Sequence, residues 1–193
     1  MLIPSFSTES NVHELIRQWG EDRNLIKGAT PRRQFLKLMS EAGEIGDAIS
    51  KGHGEGIKDG IGDTFVVLVI ITSQLGLNVA DLRYDQVNVS AYAYAPVDAI
   101  YALLLDKLTL LGLYLTSDDE EEAKKLAPST IAGAVNYLNL LAAAHGFWLE
   151  DAAKHAYEEI KDRKGVMYEG TFVKSTDSRY SDVMAKLGKE EAA

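Results

Sequence analysis

Residues 65–71, FVVLVII, would be apolar on every side as a helix, and this stretch limits what the chain can become. A helix with no polar face has to be enclosed by other elements. The run is short enough to be a buried strand. However, helical signals flank it, and the periodic segment extends over about 58–75, long for a strand.

Helical spacing recurs along the chain. Val12, Leu15, Ile16 and Trp19 stand at i, i+3, i+4 and i+7, with Asn11 and Glu14 placed as an N-cap and its N3 partner. Thr30-Pro31 opens a helix over about 31–50, whose inner stripe is Leu38, Ala42, Ile45 and Ile49. The glycine-rich KGHGEGIKDG reads as a loop leading into the enclosed helix. Asn78 with Asp81 opens another helix, and Pro96 precedes an apolar one. An acidic turn follows Ser117, and two further helices are predicted over 129–145 and 149–164, with Gly165 as a C-cap. Phe172 and Val173 are the last expected core contacts. The reading is all-α: one helical bundle over 1–175, with 83–144 as a helical insertion or degenerate repeat. Residues 176–193 are expected to form a mobile tail.

The 193 residues are 46% hydrophobic, enough for a sizeable core, and carry a net charge of −9. That charge argues against binding a nucleic-acid polymer, whose partners are usually basic. The absence of cysteine removes thiolate metal sites and disulfides and suits a reducing cytoplasm. No signal peptide is evident, and FVVLVII is too short to cross a bilayer, so no membrane partner is expected.

The carboxylates carry the chemistry. On the second helix Glu41 falls at the edge of the apolar stripe, Glu44 at its rim and Asp47 in water. On the enclosed helix Asp63 shares a face with Val66, Val67 and Ile70, where a lone charge is costly unless paired, protonated or bound to metal. Asp59 lies one turn earlier, as a ligand or a helix cap. Antiparallel packing would set Glu41 and Glu44 opposite Asp59 and Asp63. With little counter-charge beyond Lys37, this makes an all-oxygen site suited to Mg²⁺ or Mn²⁺.

QFLKLMSEAGEIGDAISKG followed by IKDGIGDTFVVLVIITSQLG resembles the MazG-like nucleotide pyrophosphohydrolases, especially phage-type members. Glu41, Glu44 and Asp63 match their Glu-x-x-Glu and Glu-x-x-Asp helices. Gly60 stands where the remaining glutamate belongs, with Asp59 as its substitute. The resemblance covers about 12–82 and resumes over 149–177. It implies hydrolysis of a nucleoside triphosphate to monophosphate and pyrophosphate, with Glu41 and Glu44 as catalytic carboxylates, Glu44 as base, and a cytoplasmic homo-oligomer, dimer or tetramer (in the host cytoplasm if phage-encoded). It also suggests Trp19 beside the base. Lys161, Arg163, Lys164 and Lys174 either complement a helix terminus or contact phosphate, as does Lys37 if it is not simply paired with Glu41. A deoxynucleotide, with dGTP favoured, is the expected substrate. The alternatives are an all-α dUTPase-like relative and a non-catalytic helical interaction module. A di-iron bundle is disfavoured because no Glu-x-x-His occurs, and a P-loop enzyme because no phosphate-loop motif occurs.

Overall fold

The computed structural model describes residues 12–82 and 95–188. The fold is all-α, with one small β-hairpin near its end. Asn11 and residues 83–94, where the helix expected after Asn78 would continue, lie outside the described residues.

Helix α1 spans Val12–Asp22 and the short α2 spans Leu25–Gly28. Helix α3, Pro31–Lys51, begins where Thr30 accepts a hydrogen bond from the Arg33 amide and Pro31 supplies a first helical residue. It ends at Gly52, whose left-handed backbone (φ 65°) favours glycine. Helix α4 then runs Gly54–Gln74, four residues earlier than the sequence indicates. Most of the expected glycine loop is therefore helix, leaving only Gly52 and His53 as the turn. Tertiary packing overrides the glycines' poor helix propensity because one of them permits close approach. A Cβ at Gly60 would lie 2.9 Å from Ile45 Cγ1 and 3.1 Å from Ile45 N. No glutamate fits there without displacing α3, which explains why this position departs from the Glu-x-x-Asp pattern.

Asn78 caps a single 3-10 turn, Val79–Asp81. Helix α5, Val97–Thr116, pairs with α6, Glu120–Ala144, as α3 pairs with α4. The two hairpins share one core, in which Phe65, Leu68, Leu104 and Leu138 are fully buried. Segment 95–144 is thus built into the bundle's core. Helix α5 is long and apolar enough to cross a membrane, a feature that the emphasis on FVVLVII overlooked; in the fold its Leu104, Leu108 and Leu111 are buried. The expected helix start at residue 129 is corrected. Asp119 caps α6 by accepting from the Glu122 amide, and the helix continues through Pro128. An internal proline costs about 3 kcal/mol. Burial of Ala123, Ala127, Thr130, Ile131 and Ala134 outweighs that.

Helix α7, Leu149–Ile160, packs on α1 and α4. Beyond it the sequence reading needs two corrections. Gly165 opens a strand, β1 (Gly165–Tyr168), which pairs antiparallel with β2 (Thr171–Lys174). The linking Glu169 and Gly170 both have positive φ, 48° and 76°, the backbone that suits a two-residue hairpin. The supposed mobile tail then forms α8, Tyr180–Lys186, which buries Val183 and Met184 against Val166 and Val173. Hairpin edges and apolar faces need cover, and α8 supplies it. Met184→Ala should cost about 2 kcal/mol and accelerate amide exchange in β2 while sparing α4. Unchanged exchange in β2 would contradict this packing.

Candidate active site

Helices α1, α3 and α4, the segment after α7 and the hairpin enclose a cavity of about 430 Å³. Its lining divides into an apolar and a charged group. Leu25, Ile70 and Met167 cluster with Trp19 and Phe172 on the apolar side. Glu41, Asp63, Lys37, Arg33 and Arg163 make up the charged group. Three cations against two carboxylates give this surface a net positive charge inside a chain of net charge −9. That balance makes the charged side of the cavity more hospitable to an anion than the chain's overall charge suggests.

The hairpin wall is held by backbone and side chain. The Met167 amide donates to the Arg23 carbonyl (2.7 Å), and Asn24 Nδ2 donates to the Met167 carbonyl (2.8 Å). Trp19 Nε1 donates to the Ile160 carbonyl at 2.8 Å. The Arg23 guanidinium lies 5.0 Å from the Trp19 ring centroid and donates to the carbonyls of Lys161 and Arg163, both at 2.7 Å. Arg23 thereby secures the chain after α7 at the cavity wall, where Arg163 contributes to the lining.

The sequence-derived residues separate into two sets. Trp19, Lys37, Glu41, Asp63 and Arg163 meet in the cavity. Glu41 is only 2% exposed, deeper than an edge position implies, and pairs with Lys37 one turn earlier. Glu44 is exposed and does not line the cavity. Asp47, as expected, faces water, paired with Lys51 at 2.7 Å. Lys161 turns to Glu158, and the exposed Lys164 and Lys174 are not part of the lining. Asp59 faces α7, where His155 Nε2 lies 3.7 Å from its Oδ1 and 3.8 Å from Glu159 Oε1. His155 shows no usable spacing to acids in the sequence reading, yet Glu159 stands four residues on, which places the two together on a helix. Arg33 and Gln34 were also missed. Gln34 carried a signal: it stands four residues before Leu38 on the apolar stripe of α3.

Asp63 is the electrostatic centre of the cavity. Burial pushes its carboxyl up to about 6, and the negative charges of Glu41 and Asp59 push in the same direction, against Lys37 and Arg163. A dication would relieve this crowding. Asp59 Oδ1, shielded from solvent, has no hydrogen-bond partner among the described residues. Among the described residues, Asp59, His155 and Glu159 form a group whose ligand atoms lie within 4.8 Å of one another and could hold a metal ion, whereas Glu41 and Asp63 line the cavity.

The fold and cavity define an all-α protein with a cavity lined on one side by charged residues. Over 59 residues the chain is 52% identical to the "uncharacterized 18.2 kDa protein in rep-hol intergenic region" of Haemophilus phage HP1 (strain HP1c1). That match covers 31% of this chain and 36% of the phage protein, so the chain matches about a third of that relative's length. No protein-family model matches the chain, and no solved structure matches it.

Proposed function

We propose that the protein is a metal-dependent nucleoside triphosphate pyrophosphohydrolase of the MazG-like type, cleaving between the α and β phosphorus. The observation that carries this reading is the meeting of Glu41 and Asp63 with Lys37 and Arg163 beside Trp19 in one cavity. Glu41 and Asp63 would hold Mg²⁺ or Mn²⁺. Bound there, the ion supplies charge neutralisation for phosphate oxygens and acidifies a water. Arg163, Arg33 and Lys37 bind phosphate oxygens, and the apolar group offers ring and aliphatic surface to the base while excluding water.

Incubation with each NTP and dNTP plus Mg²⁺ or Mn²⁺ tests the proposal. Monophosphate and pyrophosphate are the expected products, from a deoxynucleotide and with dGTP as first choice. Orthophosphate alone, or no turnover, would overturn it. The cations are separable by position. Arg163→Met should raise KM about tenfold, a loss of about 1.4 kcal/mol, whereas Lys174→Met should leave KM unchanged. Equal effects would remove Arg163 from the site. The proposal includes a homo-oligomer, supported by exposure of 64% at Leu36, on the cavity's edge, and 63% at Leu113 on α5. Light scattering showing a monomer at working concentration would reject that part.

A further inference from the structure

Gln34 is a buried polar residue that nothing among the described residues explains. It is 8% exposed, on the inner stripe of α3, and lines the cavity. Its carboxamide has no hydrogen-bond partner among the described residues, yet its oxygen and nitrogen are not sealed from solvent. They therefore open onto the cavity. Burying an amide without partners is unfavourable, and such groups are rare unless water or a ligand satisfies them.

Its placement suggests which ligand. Gln34 precedes Glu41 by seven residues, two turns, so the two sit on one side of α3 about 10.5 Å apart along the axis. That is comparable to the span of a nucleotide from its α-phosphate to the far edge of its base. Trp19, Leu25, Met167 and Phe172 present apolar faces, and the one indole N–H among them is already given to the Ile160 carbonyl. Among the lining residues, Gln34 is the neutral side chain offering a donor beside an acceptor. That pairing matches the edge of a nucleobase, as carboxamides do in base recognition.

We infer that Gln34 reads the base: its carboxamide, facing the cavity two turns from Glu41, hydrogen-bonds the base edge and determines which nucleotide is preferred. This rests on the nucleotide reading above, deepening it from a triphosphate site to a base-discriminating one. Base discrimination by such a pair amounts to about ten- to a hundredfold.

The test uses the full chain and Gln34→Leu, which keeps size and removes both hydrogen-bonding groups. Two readouts are taken: kcat/KM for the four dNTPs, and calorimetric affinity for the four dNMPs. The expected result is a base ranking flattened about ten- to a hundredfold, with a melting temperature equal to or above that of the parent, since an unpartnered amide has been removed. A ranking unchanged in both readouts, or a parent that binds all bases equally, overturns the inference. Should Gln34→Leu fail to fold, Gln34→Glu decides: as an acceptor alone it should change the preferred base, and an unchanged order overturns the inference. If the parent hydrolyses nothing but binds dNMPs with a ranking that Gln34→Leu flattens, the hydrolase reading falls and base recognition stands. If it neither hydrolyses nor binds nucleotides, both fall.

Discussion

Asp63→Asn is expected to lower turnover about a hundred- to a thousandfold and, at the same time, to stabilise the metal-free protein at neutral pH. The two effects have one cause. Asp63 sits where burial, Glu41 and Asp59 all disfavour its charge, which raises its carboxyl to about 6 from an ordinary 3.8. Between those values the folded state holds a proton that the unfolded state has released. Stability therefore falls as pH rises from about 4 to about 6, and the whole cost is present above that window. A shift of this size, discounted because the residue is partly exposed, corresponds to on the order of 1–2 kcal/mol. Asparagine removes this cost together with the charge that a cation needs. Urea denaturation at pH 4 and pH 7.5 checks it: the parent should lose stability across the interval relative to the variant. Mg²⁺ should restore stability to the parent and not to the variant. A variant less stable than the parent at pH 7.5, or one with full activity, would assign Asp63 a purely structural place.

Gly62→Val should destabilise the fold by about 3 kcal/mol. Helices α4 and α7 touch through their backbones at this point. A Cβ on Gly62 would lie 2.4 Å from the Ala152 carbonyl oxygen and 2.9 Å from Ala156 Cβ. Neither is the yielding end of a flexible side chain, so the helices must separate. Ala152, Ala153 and Ala156, all fully buried, would lose their contacts. Helix propensity opposes the effect by only about 0.3–0.5 kcal/mol, because valine is a better helix former than glycine but a modest one, and the clash outweighs that gain. Gly62→Ala carries the same Cβ and should be destabilising in the same sense. Equilibrium unfolding measures both. A change below about 0.5 kcal/mol, ordinary for a surface substitution, would mean that the helices do not meet here. Separation should also disturb Asp59, His155 and Glu159, which face one another across the same seam.

The all-α class, the enclosed helix and the strained Asp63 were legible in the sequence because they depend on local periodicity. An apolar run with no polar face has to be buried, and a carboxylate on its side has to be compensated. The caps at Thr30 and Asn78 were legible for the same reason, since each acts within three residues. Other features depended on neighbours that periodicity does not name. Glu44 and Asp59 were placed by helix angle opposite their presumed partners, but a helix wheel does not say which neighbour covers a rim position. Exposed Glu44 stands outside the cavity, and Asp59 faces α7. The hairpin was missed because Glu169-Gly170 is a weak turn signal and its strands are four residues each. Helix α8 was missed because Val183 and Met184 acquire an apolar partner only once that hairpin exists.

By itself, then, the sequence determined that the chain is helical, that its enclosed helix carries a costly carboxylate, and that carboxylates recur at helical spacing along the helix before it. Local spacing fixes those properties before any long-range contact forms. Only the tertiary structure decided which of those charges share a cavity. It joined Trp19, Gln34, Glu41, Asp63 and Arg163, up to 144 positions apart in sequence. It also turned Gly60 and Gly62, weak points in an isolated helix, into the places where α3 and α7 approach α4. The physical reason is that burial and electrostatic coupling belong to pairs of surfaces, and those pairs exist only once the helices have packed.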